Sequence, residues 1–469
     1  MGVLSARDWA EEQFSHCNLG DPRRTNRVIK IAMRLASQIG RSICASCEGN
    51  EAEVEGAYRF ARNPLVDPYE ISKGLFAATA EKAKAYEELL AIEDTTTHSY
   101  THDVIDDLGD LGAPKRTRSR GFHAHSVLLV NAKRIETIGL IEQRVWKRNP
   151  AKRGIKHRRH QRAYEDKESY KWEQSSKNIS DRLGETMKNV ISVCDREADI
   201  YGYLKYKVQN NQRFIVRASH DRLLAEGGHL FEWINKEAKS MGKYKISIMQ
   251  RSERKAREAD LEVLCGKIKI TRPKQRLKES LEVNVVIARE IKKKGNSEER
   301  LCWVILTKEP IDTLEQVKKI CGYYKRRWQI EEYHKAWKTG AGSEELRLQN
   351  ASNLERLLAI LGGVAVRLLQ LREALEWEDA GNEKVIKETS CLQVLTKEEW
   401  HVLWFFVNKK TKKKPPKKGE SLRWAYESIA KLGGWNDSKR TGIASWHTIW
   451  HGWFRLQERI EGYGVASSV

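Results

Sequence analysis

The sequence has few cysteines, no long apolar segment and too few acidic residues to balance its basic ones. Eight cysteines scattered over 469 residues argue against a disulfide-stapled secreted scaffold and favour reduced thiols in a cytoplasm. The longest uncharged apolar run, residues 357–366, is far shorter than the ~20 residues that cross a bilayer. Residues 1–14 carry charges where a signal peptide is apolar. We therefore expect a cytoplasmic protein with no membrane partner.

The deficit of acidic residues gives the chain a strongly positive charge. Lysine and arginine number 85 against 64 aspartates and glutamates, a formal net charge of +21. Such an excess favours a polyanionic partner, and nucleic acid is the first candidate. Two stretches, Lys147–Arg162 and Lys409–Lys418, concentrate the charge. We favour phosphate-backbone contact over solvated charge for the first stretch, and leave both interpretations open for the second.

The apolar patterns along the chain predict an α/β protein with helical regions at both ends. The first 65 or so residues have helical spacing, most clearly in Thr25–Leu35. Short apolar runs typical of strands follow, and between residues 213 and 307 they recur with little helix between them. Helical patterns return at Thr313–Lys338 and Leu354–Leu375. The first strand-like runs lie at 89–92, 125–130, 137–141 and 190–194.

Two of these apolar runs end in an aspartate. Asp94 follows the run that begins at Leu89, and Asp195 follows Val190–Cys194. Carboxylates at neighbouring strand ends of a shared sheet can hold a metal ion. The alternative is that each is an ordinary loop carboxylate.

A third acid lies in a patterned helical segment. Positions 324, 327, 331, 335 and 338 are separated by 3, 4, 4 and 3, so on one continuous helix they span an arc of roughly 80°. That face carries one glutamate among a tyrosine and three cations. The alternative is an exposed helix in which Glu331 and Lys335 form an i,i+4 ion pair. The five residues are Tyr324, Arg327, Glu331, Lys335 and Lys338.

Together these residues suit phosphoryl transfer on DNA. Asp94, Asp195 and Glu331 can coordinate two Mg²⁺ ions, for which Mn²⁺ can substitute, and the ions would activate a water for in-line displacement at phosphorus. The cations on the same helix face would neutralise phosphate charge as the transition state forms.

Three motifs resemble those of a known family. They are Glu93-Asp94-Thr95-Thr96, the run from Cys194 to Asp199, and Tyr-x2-Arg-x3-Glu-x6-Lys, here Tyr324, Arg327, Glu331 and Lys338. With further likeness at residues 20–24, 55–60 and 437–446, the chain resembles the DDE transposases of the insertion-sequence-four family over nearly its whole length.

The resemblance implies a three-part organisation. Residues 1–67 would be a helical domain that binds transposon ends, and residues 68–368 a ribonuclease-H-like catalytic domain with a β-rich insertion at about 205–310. Residues 369–469 would be a helical dimerisation domain. The reaction implied is cut-and-paste transposition through a hairpin intermediate, followed by strand transfer into target DNA. The partners implied are double-stranded DNA, as terminal repeats and target, and a second copy in a synaptic homodimer, placing the protein on cytoplasmic DNA, the nucleoid if the source is a bacterium.

Two further residues acquire roles only through this resemblance. Trp303 matches a tryptophan that supports an extruded base, and Arg217 matches an arginine that faces the flipped region. Without the family, Trp303 reads as strand-core packing. Two other functions stay open: a ribonuclease-H-like nuclease that cuts without joining, and a catalytically silent DNA-binding regulator of transposition.

Overall fold

The computed structural model has a mixed α/β fold in which helices flank one large mixed sheet. The predicted α/β class is therefore confirmed at that level. The structure describes residues 5–102, 106–112, 120–134, 136–149, 162–248, 257–271, 279–291, 300–376, 390–393, 395–409, 414–416, 419–437 and 444–468. Most of the basic stretch Lys147–Arg162, much of Lys409–Lys418 and residues 438–443 of the C-terminal motif lie outside these ranges.

Five helices form the N-terminal region, as the sequence predicts. Their starts are set by side chains that accept a hydrogen bond from the first turn, among them Ser5, Asp21, Asn50 and Asp67. The apolar positions of the predicted Thr25–Leu35 helix are buried. The helices are α1 (Ala6–Phe14), α2 (Pro22–Ser37), α3 (Ile43–Ser46), α4 (Glu51–Arg62) and α5 (Pro68–Ala83).

Among the described residues, ten strands form the sheet. Its order is β2-β3-β1-β5-β6-β10-β9-β8-β7, and β4 also pairs with β3. The first six are β1 (Leu89–Tyr100), β2 (Gly109–Asp110), β3 (Arg120–Asn131), β4 (Thr137–Trp146), β5 (Val190–Cys194) and β6 (Arg213–Arg217). The β-rich segment supplies β7 (Lys239–Ile248), β8 (Arg257–Thr271), β9 (Ser280–Glu290) and β10 (Cys302–Thr307), which extend the same sheet through the β6–β10 pair.

The central strand β1 sets the geometry of the candidate site. It runs antiparallel to β3 and parallel to β5, with Glu93 opposite Cys194. Because β1 and β5 run in the same direction, Asp94 and Asp195 each directly follow the last β1–β5 pair. Asp195 ends its strand as predicted, but the prediction for Asp94 is wrong, because β1 continues to Tyr100 by pairing with β3. Side chains alternate between faces along a strand, so Asp94 lies on the face of Leu90 and Ile92, while Glu93 lies on the other.

Helices cover both faces of the sheet. On one face lie α6 (Lys171–Leu183), α7 (Tyr201–Gln209) and α8 (Leu230–Lys236). On the other lie α9 (Leu314–Lys325), α10 (Trp328–Lys335) and α11 (Ala351–Glu376). Beyond them come α12 (Lys397–Val407), α13 (Leu422–Leu432) and α14 (Trp446–Ser468). No helix among the described residues has the length and apolar character needed to span a bilayer.

One hydrophobic core connects the N-terminal helices, the sheet and the C-terminal helices. The long helix α11 is central to it, since Arg356 donates hydrogen bonds to the carbonyls of Val66 and Ala61. The predicted domain boundary at 368/369 falls inside this continuous helix. The division into three functional units stays a prediction.

The prediction of one helix over Thr313–Lys338 is wrong. The chain forms α9, turns at residues 326–327, forms the short α10, and continues as a π-helix over Ala336–Gly340. At the turn, Arg326 donates from Nη1 to the carbonyls of Asn131 and Ala132, both at 2.8 Å. This long-range contact holds the interruption between α9 and α10 against the end of β3, and the local helical pattern gives no sign of it.

Candidate active site

Asp94 lies near the middle of β1, at the point where this central strand stops being fully buried. Its Oδ1 accepts a hydrogen bond from the backbone N–H of Thr95 at 2.7 Å. Only 18% of its side chain is exposed. The sheet therefore holds this carboxylate in a fixed position with one edge open.

Asp195 begins a short turn directly after β5. Its Oδ1 accepts from the backbone N–H of Glu197 at 2.8 Å, which caps the 3₁₀ turn Arg196–Ala198. The neighbouring acids are placed differently: Glu197 is 62% exposed and pairs with Lys171 at 3.4 Å. The carboxylate of Asp195 thus lies at the end of β5, whereas that of Glu197 lies on the surface.

Arg327 joins the third acid to the first. Its guanidinium lies 3.4 Å from Asp94 Oδ2 through Nη1 and forms an ion pair with Glu331 through Nη2. Glu331 stands in the first turn of α10. The structure therefore brings Asp94, Asp195 and Glu331 to one end of the sheet around a single arginine.

Negative charge exceeds positive charge in this cluster, and the acid–base equilibria reflect it. Burial and then the charge of Asp195 raise the pKa of Asp94 from 3.8 to about 6, against the opposing effects of Thr95 and Arg327. Burial also raises the pKa of Asp195. For Arg327, burial lowers the pKa, but the nearby acids outweigh it and the net shift is upward.

An excess of carboxylate oxygens is the donor chemistry that Mg²⁺ and Mn²⁺ prefer. Burial is the largest cause of the raised pKa of Asp94, and the charge of Asp195 adds to it. In the part of the chain that the structure describes, however, no three His, Cys, Asp or Glu side chains converge closely enough to hold a metal ion as they stand. Arg327 occupies the space between Asp94 and Glu331, so its side chain must move before both carboxylates can share one ion.

Tyr324, Trp303 and Arg217 form an aromatic and cationic cluster beside the acids. The rings of Trp303 and Tyr324 meet edge to face with centroids 5.3 Å apart. Arg217 donates from Nη2 to the carbonyl of Cys302 at 3.1 Å. Burial raises the pKa of Tyr324, opposed by Arg217 and Arg327. Trp303 is only partly buried, so one side of this cluster stays accessible.

The two predicted lysines occupy different environments. Lys335 is 60% exposed and pairs with Glu332 at 2.8 Å, not with Glu331. Lys338 lies in the π-helix, where burial lowers its pKa against the opposing charge of Glu344. The prediction of an unbroken helix with one cationic face is therefore wrong: Arg327 and Glu331 still pair, but Lys335 pairs with Glu332 and Lys338 lies in the π-helix.

A buried polar pair beneath Asp94 was not predicted to belong to the site. Glu93 and His125 are fully buried, with Glu93 Oε2 lying 3.6 Å from His125 Nε2. His125 also contacts Thr95 Oγ1 through Nδ1 at 3.0 Å. Glu93 precedes Asp94 on β1 and His125 lies opposite Thr95 on β3, so the pair belongs to the strand segment that presents Asp94. The sequence signals were the motif Glu93-Asp94-Thr95-Thr96 and the predicted strand at residues 125–130, and neither indicates that the two side chains pair.

The N-terminal helix α2 combines a buried apolar face with a basic exposed one. Arg23 and Lys30 are exposed, while the guanidinium of Arg27 lies against Gly56 of α4. A Cβ at Gly56 would come within 2.4 Å of Arg27 Nη1, so only glycine permits this close approach. A helix with an exposed basic face suits contact with a phosphate backbone.

A comparison with protein-family models identifies this region. The model for a transposase DNA-binding domain matches residues 6–66, which contain α1 to α4. The match supports a transposase role and DNA as a partner of the chain.

Proposed function

We propose that the chain is a cut-and-paste DDE transposase of the insertion-sequence-four family, most similar to the transposase of transposon Tn-five. The observation that carries this proposal is the meeting of Asp94, Asp195 and Glu331 around Arg327, in a chain whose residues 6–66 match a transposase DNA-binding domain. A ribonuclease-H-like fold of the catalytic region is part of the proposal. The mixed sheet supports this part of the proposal, because the parallel pairing of β1 and β5 brings the two aspartates close together.

In this proposal, the three carboxylates hold two Mg²⁺ ions, which would supply a polarised water and stabilise charge on the leaving oxygen. Arg327 is released from Asp94 and Glu331 and turns to the scissile phosphate. Lys338 assists from the π-helix, where its partial burial strengthens its interaction with an anion. Arg327 thereby exchanges its carboxylate partners for phosphate when DNA binds.

The aromatic cluster would support the hairpin step. Forming a hairpin requires a sharply bent strand, and an extruded base loses a few kcal/mol of stacking. Trp303 would offer a ring to that base while Tyr324 holds the indole from behind. Arg217 and Lys335 would contact the flanking phosphates. Joining of the 3′-ends to target DNA, and a synaptic homodimer formed through residues 369–469, complete the proposed reaction on cytoplasmic DNA.

One observation favours a second candidate. Because Arg327 separates Asp94 from Glu331 and no described triad is ready for a metal ion, a DNA-binding regulator without catalysis fits the same geometry. The two candidates differ in whether Arg327 can leave the carboxylates.

The test uses purified full-length protein, Mg²⁺ and a linear DNA carrying the inverted repeats that flank its coding sequence. Denaturing gels resolve nicks, hairpins and joined products. We expect hairpins and strand-transfer products that require the metal and disappear in Glu331→Gln. Glu197→Gln is the matched control, because this exposed acid lies beside Asp195 outside the cluster, and it should retain activity.

The other outcomes are distinct. Nicks without hairpins or joined products would indicate a nuclease. Tight binding to the repeats without any cleavage would indicate the silent regulator, and equal loss in Glu331→Gln and Glu197→Gln would reject the assigned triad.

A further inference from the structure

A cavity of about 460 Å³ lies between α8 and the ends of β6, β9 and β10. This volume falls in the roughly 300–1,000 Å³ range of pockets that hold small ligands. Cys302 and Val304 line it, whereas Trp303 between them packs on Tyr324. Because side chains alternate across a strand, the cavity opens on the face of the sheet opposite the aromatic cluster. It therefore lies on the other face from that cluster and shares Arg217 with it.

Three arginines surround the cavity: Arg196, Arg217 and Arg289. Arg289 pairs with Glu262 at 2.8 Å, and Arg217 donates to the Cys302 carbonyl. Among the residues that the structure describes, the exposed guanidinium of Arg196 has no ion-pair partner. The cavity thus has more positive than negative charge and favours an anion.

The rest of the cavity is apolar. Ile234, Ile287 and Val304 contribute to its wall, and Phe231 stands beside them with 41% of its surface exposed. Exposed phenylalanines are few in this chain, and this one belongs to a short helix whose Leu230 and Ile234 are buried. A flat apolar group with an attached anion matches this combination of an aromatic ring, aliphatic side chains and guanidinium groups.

We propose that this cavity binds one unpaired nucleotide of a DNA strand, with its base against Phe231 and its phosphate at the arginines. Aromatic side chains and arginine are the groups that proteins use to bind single-stranded nucleic acid without sequence preference. The inference rests on the proposed function for its choice of DNA. Arg196 directly follows Asp195 in the sequence. Arg217 lines the cavity and also interacts with Tyr324 of the aromatic cluster. A strand leaving the carboxylates can therefore pass this end and place an unpaired nucleotide in the cavity.

A cysteine in the cavity provides a direct readout of occupancy. Cys44 and Cys302 are exposed, and the other six cysteines are buried. In a Cys44→Ser background, alkylation by a maleimide therefore reports on Cys302. We expect a ten-nucleotide oligothymidylate to slow alkylation of the full-length protein, and a blunt duplex of equal length to have little effect.

Two variants test whether protection comes from the cavity. Phe231→Ala and Arg196→Ala should each raise the oligonucleotide concentration for half-protection about tenfold, as expected for loss of a stacking partner or a phosphate contact. The matched controls are Phe405→Ala and Lys267→Ala, which remove an exposed ring and an exposed cation elsewhere. They should leave protection unchanged.

The outcomes separate this proposal from the proposed function. If duplex repeats bind but oligothymidylate leaves Cys302 fully reactive, the cavity is not a nucleotide site and the transposase proposal stands. Protection that persists in both cavity variants, or that the duplex gives equally well, also overturns the inference. If no DNA binds by anisotropy, the proposed function itself fails. Circular dichroism of each variant verifies that it is folded.

Discussion

The start and the middle of β1 carry opposite kinds of charge cluster on the same face of the sheet. Just before the strand, Glu88 contacts Arg213 and Lys319, each at 2.9 Å, and accepts a hydrogen bond from the Tyr323 hydroxyl at 2.5 Å. Glu309 completes this cluster by pairing with Arg213. Although burial opposes it, these partners lower the pKa of Glu88 from 4.5 to about 2.

Six residues further along, roughly 20 Å away in an extended strand, Asp94 has a raised pKa. Both clusters lie beneath the α9–α10 segment and include arginine. The two clusters differ in charge balance. Around Glu88, two acids face two cations. Around Asp94, Arg327 pairs with Asp94 and Glu331, and Asp195 adds a third negative charge. The first cluster stabilises the fold. The second is destabilised by its own charges, which is typical of sites organised for ligands.

The largest expected difference between the Glu88 and Asp94 clusters is in the rate of DNA cleavage. Asp94→Asn should reduce DNA cleavage by roughly 1,000-fold or more, because it removes a carboxylate that no neighbour replaces. Glu88→Gln should leave the rate per folded molecule within about twofold, since Glu88 lies far from the acids. Cleavage of labelled repeat DNA under single-turnover conditions measures both. Similar losses in the two variants would remove the functional distinction.

The next effect is on stability at the Glu88 end. Glu88→Gln should lower the free energy of unfolding by about 2 kcal/mol at pH 7, since 1.36 kcal/mol accompanies each pKa unit and the half-exposed Lys319 weakens the effect. Urea unfolding followed by tryptophan fluorescence measures it. Glu87→Gln is the control, because this exposed neighbour pairs only with exposed Lys133, and it should leave the midpoint unchanged.

Asp94→Asn should change stability in the opposite direction, raising it by about 1–2 kcal/mol at pH 7. The folded-state pKa of about 6 exceeds the ordinary 3.8, so the ionised carboxylate destabilises the fold above pH 6. This penalty is lost as pH falls from about 6 to 4, and the advantage of the variant should vanish there. The deficit of Glu88→Gln should instead persist down to pH 4.5 and decline towards pH 2. Thermal midpoints across this range test both, and parallel pH profiles would contradict the comparison.

The smallest expected effect is a response to divalent ions. Millimolar Mg²⁺ should raise the thermal midpoint of the wild-type protein by roughly 1–3 °C, by binding only the folded state. Glu88→Gln should keep this shift and Asp94→Asn should lose it. Ca²⁺ and Mn²⁺ test the preference for oxygen ligands. An equal shift in all three proteins would place the ion outside the carboxylate cluster.

Sequence patterns predicted the parts of the site that local rules determine. The apolar run before Asp94 and the run Val190–Cys194 are strands. Their parallel pairing brings Asp94 and Asp195 close together beside the end of β5. The N-terminal helices and the β-rich segment also follow from periodicity and capping. The elements themselves follow from local patterns, whereas the β1–β5 pairing joins residues that are distant in the sequence.

The parts that were missed depend on distant partners. At the interruption between α9 and α10, Arg326 donates hydrogen bonds to the carbonyls of Asn131 and Ala132, nearly two hundred residues earlier. Lys335 has correct spacing for Glu331 yet pairs with Glu332, whose other partner is Arg372 of α11. The balance of charge around Glu88 likewise depends on distant residues, Arg213 of β6 and Lys319 of α9. No periodicity encodes such contacts, because each becomes possible only after the chain has folded back on itself.

The turn at residues 326–327 also gives the triad unequal mechanical support. Asp94 and Asp195 are carried by hydrogen-bonded strands, whereas Glu331 is carried by an eight-residue helix with a turn at one end and a π-helix at the other. A shift of α10 by one side-chain length would take Glu331 away from the aspartates without breaking a strand hydrogen bond. The position of the third carboxylate therefore depends on the packing of α10, where Ile330 and Tyr333 are buried, whereas the two aspartates depend on strand pairing.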